Sequence, residues 1–294
     1  MKKNFYRFIY AAGLIACFSL SVFAQKSEGD RKMNQPVEPF KIIGNVYYVG
    51  ASDVTSYLIT TPKGHILIDS GFEETVPQIK ANVAKLGFKL EDIKILLINH
   101  AHYDHCAGLA EIKKLTNAKL YASPPDAKVL EDGGKSDFRF GDDPAFSFAP
   151  VKPDEILKNG QEIKLGGSVL KTYFTFGHTK GATSWTTEIS ENKKKYKVAF
   201  VSSLTTLDYA LNENPKYPNI KSDFMKTFAT LEKIKADVVL SSHGQFFELT
   251  EKAEKARSGA KTNPFISPKD YADLIAYMKK AFNDKLQKET KSEK

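Results

Sequence analysis

Ile95-Leu96-Leu97-Ile98-Asn99-His100-Ala101-His102-Tyr103-Asp104-His105-Cys106-Ala107-Gly108 is the stretch on which the reading of the fold turns. Four apolar residues are too few for a helix and read as a buried strand. The polar cluster then falls at the carboxyl end of that strand, where open α/β sheets hold their ligands. His100 and His102 are two apart, so in extended backbone both side chains leave on one side. Asp104 and His105 follow as the chain turns into a helix that Glu111, Ile112 and Leu115 continue. A lone histidine is ordinarily a capped or surface residue. Three with an aspartate in six positions would repel when protonated and stack buried polar groups when neutral. A metal resolves both problems, and imidazole with carboxylate suits zinc. Cys106 directly follows; it reads as a small packed residue just inside the helix, with ligation the other possibility.

Working upstream, Asn45–Val49, Ser56–Thr60 and His65–Asp69 read as strands, with turn chemistry at Thr61-Pro62-Lys63-Gly64 between the last two. His65 faces that turn without companions and reads as structural. Asp69-Ser70-Gly71 closes the meander, and Val76, Ile79, Val83 and Leu86 recur at helical spacing until Gly87. Gln25–Pro39 reads as a loose polar lead-in. Residues 1–24 read as a secretory signal peptide: basic Lys2, Lys3 and Arg7, an apolar run from Phe8 to Phe18, and Val22-Phe23-Ala24 before the cut. Leu14-Ile15-Ala16-Cys17 offers a lipidation alternative, against which the residues after Cys17 stay apolar. The expectation is a periplasmic protein with one domain over 25–294 and no stable membrane contact unless Cys17 is lipidated.

Losing Lys2, Lys3 and Arg7 lowers the formal charge from +8 to +5. With lysines scattered rather than striped, the balance favours a small anionic substrate and gives no sign of nucleic acid. Of two cysteines, Cys17 and Cys106, only the second survives leader removal, so no intramolecular disulfide is expected.

Downstream, Ala118–Ala122 is a short strand and Pro124 to Leu130 a brief helix. Residues 131–155 form a long loop carrying Phe138, Phe140, Phe146 and Phe148. Such loops are often functional. The rings either wall a pocket or pin the loop to the body. Strands resume at Val169–Phe176, Trp185–Ile189, Lys197–Val201 and Asp237–Ser241, with helices over 220–235 and 268–290. Strands lead and helices follow in each half, which predicts an α/β protein of two similar halves face to face.

Two further histidines end strands beside glycine: Phe176-Gly177-His178-Thr179 and Ser242-His243-Gly244. Five histidines and one aspartate at strand ends suit two adjacent metals with three protein ligands each. Three-ligand zinc sites leave positions open for water and substrate.

His100-Ala101-His102-Tyr103-Asp104-His105, Gly177–Trp185 and Ser242–Phe247, with Gly64–Thr75 and Asn214–Pro218, resemble the metallo-β-lactamase superfamily over essentially the whole mature chain, and more narrowly its subclass B3. The resemblance implies a four-layer αβ/βα sandwich with its site at the strand-end edge between the two sheets. It implies two zinc ions, one on His100, His102 and His178, the other on Asp104, His105 and His243. Many relatives carry a metal-bridging aspartate after the strand matching Val198–Val201, and one lactamase subclass a cysteine. Here Ser202 and Ser203 stand there, as in subclass B3, where Ser203 would sit beside a metal-bound water. The implied activity is hydrolysis of the β-lactam amide by a shared hydroxide, with Asp104 also orienting it and relaying a proton. Ser203 and Thr205 are the candidates for the substrate carboxylate, although Thr205 also fits an ordinary loop residue, and Tyr103 for the mouth. A monomer acting on a small molecule is expected. One departure is Ala236, where the family often has a cysteine of a C-terminal disulfide. The rival readings are a lactonase or thioesterase on the same scaffold, and a non-catalytic zinc-binding protein.

Overall fold

The computed structural model describes residues 27–292; the leader read at 1–24, Cys17 included, lies outside the described residues. The chain runs α1 (Glu28–Met33), β1 (Phe40–Ile43), β2 (Val46–Tyr48), β3 (Tyr57–Thr61), β4 (Gly64–Ile68), α2 (Val76–Lys85), β5 (Ile93–Leu97), α3 (Tyr103–Cys106), α4 (Leu109–Thr116), β6 (Lys119–Ala122), α5 (Pro124–Glu131) and β7 (Glu155–Ile156). It continues through β8 (Glu162–Leu165), β9 (Ser168–Phe174), β10 (Thr183–Glu191), β11 (Lys194–Val201), α6 (Ile220–Ile234), β12 (Val238–Ser241), α7 (Leu249–Arg257) and α8 (Pro268–Ser292).

Two sheets form, ordered β1 to β7 and β12-β11-β10-β9-β8. Side-chain alternation decides what each face covers. In β4 and β5, Ile66, Ile68, Ile95 and Leu97 face the second sheet, packing in one cluster with Leu170, Trp185, Val198 and Phe200. Leu67 and Leu96 point the other way, onto Val76, Ile79 and Ile112 of α2 and α4. The second sheet's outer side is closed by Phe224 and Phe228 of α6 and by Phe282 of α8. Helix, sheet, sheet and helix thus stack in four layers, as expected.

The meander of β1 to β4 is antiparallel, then β5, β6 and β7 add in parallel. In the second sheet β11 and β12 run parallel, and β9 runs alongside them with β10 antiparallel between. The carboxyl ends of β4, β5, β9, β11 and β12 therefore gather along one edge. Cross-sheet hydrogen bonds stitch that edge: Thr183 N–H and the Ser202 hydroxyl both donate to the Asn99 carbonyl (2.7 and 3.0 Å), and the Tyr57 hydroxyl donates to the Ser241 carbonyl (2.6 Å).

Three local expectations change. The lead-in is not all loose: Ser27 and Asp30 form a reciprocal capping box that starts α1. The two halves are unequal, with seven strands against five; the short strands β1, β7 and β8 carry too little apolar periodicity to register in the sequence. The motif helix is broken into α3 and α4 at Ala107-Gly108. A Cβ on Gly108 would lie 2.7 Å from Val76 Cγ2 and 2.8 Å from the Ser70 carbonyl oxygen, so the junction sits hard against the turn after β4.

Candidate metal centre

The edge built by five strand ends holds all six expected donors. The turn after β4 shapes the first four. Asp69, in the left-handed region at φ 60, accepts from Asn99 N–H (2.7 Å) and from the Asn99 side chain (2.8 Å). The Ser70 N–H and hydroxyl both donate to the His105 carbonyl (2.9 and 3.1 Å). Residues 100–105 are thereby wrapped round the end of β5. His178 arrives on the loop after β9, where Gly177 adopts φ +140 with the Phe224 ring pressed beneath it; a Cβ there would lie 2.7 Å from that ring. His243 arrives straight from β12.

The donors fall into two trios, His100 with His102 and His178, and Asp104 with His105 and His243, their donor atoms within 4.8 Å of one another in each. In the first, His178 Nε2 and His102 Nδ1 are 3.1 Å apart, and the His100 ring meets the other two edge-on at 4.8 and 4.7 Å. In the second, His105 Nε2 lies 3.2 Å from His243 Nε2 and 3.2 Å from Asp104 Oδ2. The His100 and His105 rings, 4.3 Å apart, join the trios. His100 Nε2 is buried with no hydrogen-bond partner among the described residues. Nitrogens converging in this way, one of them orphaned, fit a metal ion better than a hydrogen-bond network.

Electrostatics agree. Burial, reinforced by the neighbouring imidazoles, holds His100 and His178 well below the usual histidine range, and burial brings His102 down to about 4. These rings are neutral, as a ligand must be. Burial opposes charge on Asp104, yet His105, His243 and His102 hold its carboxyl far below the ordinary carboxylate range. Burial likewise opposes charge on His105, and the Asp104, Asp69 and Asp53 carboxylates more than offset it.

Other expected residues are placed as follows. Ser203 Oγ is 3.2 Å from Thr205 Oγ1, and both the Thr205 carbonyl (2.8 Å) and hydroxyl (3.1 Å) meet His178 Nδ1. Thr205 thus positions one of the six candidate donors, a role no local sequence signal marks. Tyr103 is buried: its hydroxyl donates to Asp30 of α1, and its ring packs edge-on to Phe72 (5.3 Å) and Phe146 (5.0 Å). Cys106 is packed in the core under α4, its thiol pushed up by burial, and His65 lies apart with its ring against Phe88. The loop phenylalanines divide the two readings between them. Phe138 pins the loop, buried against Tyr209 and Tyr217. Phe140 meets His102 at 5.0 Å and stacks on Phe146 at 4.4 Å, forming a wall beside the first trio. Sequence reasoning missed Asp53, Asp126 and Tyr209. Asp126 accepts from Ala101 N–H (3.0 Å) and the Thr179 hydroxyl (3.3 Å), tying the loops of His102 and His178 together. The Tyr209 hydroxyl is buried near the His178 ring with no partner among the described residues.

A family model described as the metallo-beta-lactamase superfamily matches residues 49–191. The native FEZ-1 metallo-beta-lactamase of Legionella gormanii superposes with a TM-score of 0.86 at 41% identity, covering 88% of this chain and 98% of that one. The chain belongs to the metallo-beta-lactamase superfamily. BJP-1 of Bradyrhizobium japonicum, a subclass B3 metallo-beta-lactamase, superposes at 0.83 with 37% identity over 90% of this chain and 99% of that one. Within the superfamily the chain therefore groups with the subclass B3 enzymes. Among curated relatives, a beta-lactamase-like protein 2 homolog of Drosophila melanogaster is 27% identical over 201 residues, 66% of this chain; the match spans 59% of that relative's length.

Proposed function

We propose that this chain is a zinc-dependent β-lactamase that opens the lactam amide of penicillins, cephalosporins and carbapenems, and so confers resistance to them. The observation that carries the reading is the pair of three-donor trios joined at His100 and His105. Each trio leaves coordination positions for water and substrate. Likeness to FEZ-1 and BJP-1 over nearly their full lengths supports the substrate class. Two zinc ions, when bound, would supply Lewis acidity toward the lactam carbonyl and a nucleophilic water at neutral pH.

The chain's own residues do the remaining work. Asp104, held ionised chiefly by His105, orients the attacking water at its carboxylate and relays the water's proton to the departing lactam nitrogen. The Ser203 and Thr205 hydroxyls, 3.2 Å apart beside His178, are placed to donate to the substrate carboxylate. Phe140 and Phe146 wall the site on the His102 side and exclude water there. Tyr103 backs that wall through Phe146. The leader read at residues 1–24 supports action in the periplasm.

Nitrocefin hydrolysis tests the reading. A chelator should abolish it and added zinc restore it. His178→Ala should cost more than the roughly 10–100-fold that losing a residue behind a ligand costs. Zinc-loaded protein that leaves all three ring classes closed, or that hydrolyses lactones far faster, would refute it.

A further inference from the structure

Asp53 is not one of the six donors, yet it grips one of them. Its Oδ2 accepts from His243 Nδ1 at 2.9 Å, and its Oδ1 accepts from Gln245 N–H at 2.8 Å. The backbone around it holds the same segment. Gly244 N–H donates to the Asp53 carbonyl (2.7 Å), Val54 forms an antiparallel bridge with His243, and Thr55 N–H donates to the Ser242 carbonyl (3.2 Å). Residues 53–55 thus clasp the ligand on both sides.

The other ligand histidines are held differently. His178 Nδ1 donates to a carbonyl, and His100 Nδ1 lies 3.4 Å from the Ser202 hydroxyl. His102 and His105 approach Asp137 and Asp69 only to 3.7 and 3.8 Å. Among the described residues, Asp53 is the only carboxylate within hydrogen-bond distance of the outer nitrogen of a ligand histidine. A carboxylate there fixes the Nδ1–H tautomer, orients the ring and makes the opposite nitrogen a stronger donor. That nitrogen, His243 Nε2, faces Asp104 Oδ2 at 3.7 Å and His105 Nε2 at 3.2 Å.

We propose that Asp53 is the positioning residue of the second trio, setting the tautomer and aim of His243 and so the affinity of that trio for zinc. The proposal rests on the two-metal reading above but not on the substrate. Asp53 is in turn strapped to the N-terminal segment. Asp53 N–H and Val54 N–H both donate to the carbonyl of Met33, the last residue of α1 (2.9 and 3.2 Å), and Ser52 N–H donates to the Gln35 carbonyl (2.9 Å). α1 and the segment after it therefore support the metal site although they supply no ligand.

The test is zinc titration of the full mature protein against a chromophoric chelator, which resolves two binding steps. Asp53→Ala should weaken one step by roughly 10–100-fold and leave the other unchanged. Asp53→Asn keeps an acceptor oxygen without the charge and should lose less. In a His243→Ala background, Asp53→Ala should add no further loss, which separates action through His243 from general loosening. Equal weakening of both steps, no weakening, or an added loss in that background would overturn the proposal. Wild-type protein that binds two zinc ions but opens no lactam would sink the β-lactamase reading and leave Asp53 standing. Wild-type protein binding one zinc would overturn the proposal itself.

Discussion

His100, His102 and His178 are buried rings kept neutral in the folded chain, and that has a thermodynamic consequence. Free histidines take up protons near pH 6.5, whereas burial moves His102 to about 4 and the other two well down. Between those limits these three rings bind more protons in the unfolded chain than in the folded one. Stability conferred by these rings is present above pH 6.5 and is lost as pH falls toward about 4. His105, raised by its carboxylate neighbours, opposes this, as do the carboxyls of Asp69 and Asp126, which burial pushes up to about 6 and about 8. The ring contribution is isolated by His102→Gln: in chelated protein the melting-temperature advantage of the wild type over this variant should shrink as pH falls from 6.5 to 4.5, and a constant difference by calorimetry would contradict the neutral-ring account. Residue scale is also where sequence adjacency misleads. Tyr103 neighbours two ligands in the chain, yet α3 turns its hydroxyl onto Asp30. Thr205, an ordinary loop hydroxyl in sequence, holds His178 through its carbonyl.

At the scale of elements, the α3–α4 junction carries the second trio. Asp104 and His105 lie in α3, whose end is fixed by Gly108 N–H donating to the Gly71 carbonyl (3.3 Å). Gly108 has φ −77, so alanine meets no backbone strain there; the obstacle is space. The Cβ would need the Ser70 backbone to move, and overpacking of this kind costs about 1–3 kcal/mol. Gly108→Ala should lower the melting temperature and, because α3 must shift with the junction, reduce zinc retained after dialysis. Unchanged melting and zinc content would mean the junction is slack. The capping box of α1 was missed within the polar lead-in although Ser27 and Asp30 stand three apart, and nothing local tells that this short helix straps the Asp53 loop.

At the scale of the molecule, two apolar layers do separate work. The layer under α2 and α4 supports the motif, while the larger one joins the sheets to α6 and α8. Phe282 of α8 packs on Phe224 (5.3 Å) and Phe228 (5.7 Å). Phe282→Ala should cost roughly 3–5 kcal/mol in urea denaturation, as large cavities do. The six candidate donors lie at the strand-end edge, so the zinc content of the folded fraction should stay at the wild-type level. A fall in zinc content would show that helix packing and the site are not separable.

Local pattern alone was enough for the strand from Ile95 to Leu97, the four donors that follow it, and the amphipathic helices. In each case the deciding interaction spans a few residues, and side-chain period exposes it. The strand-end position of His178 and His243 was equally legible, because glycine and an apolar run flank each. Their partnership with the first four donors, and the division into two trios, depended on which strand ends meet at one edge. That is set by the packing of two sheets. Asp53 lies 190 residues from His243, and no periodicity carries information over that separation. Only the folded chain, burying both sheets against each other, brings that carboxylate to that ring.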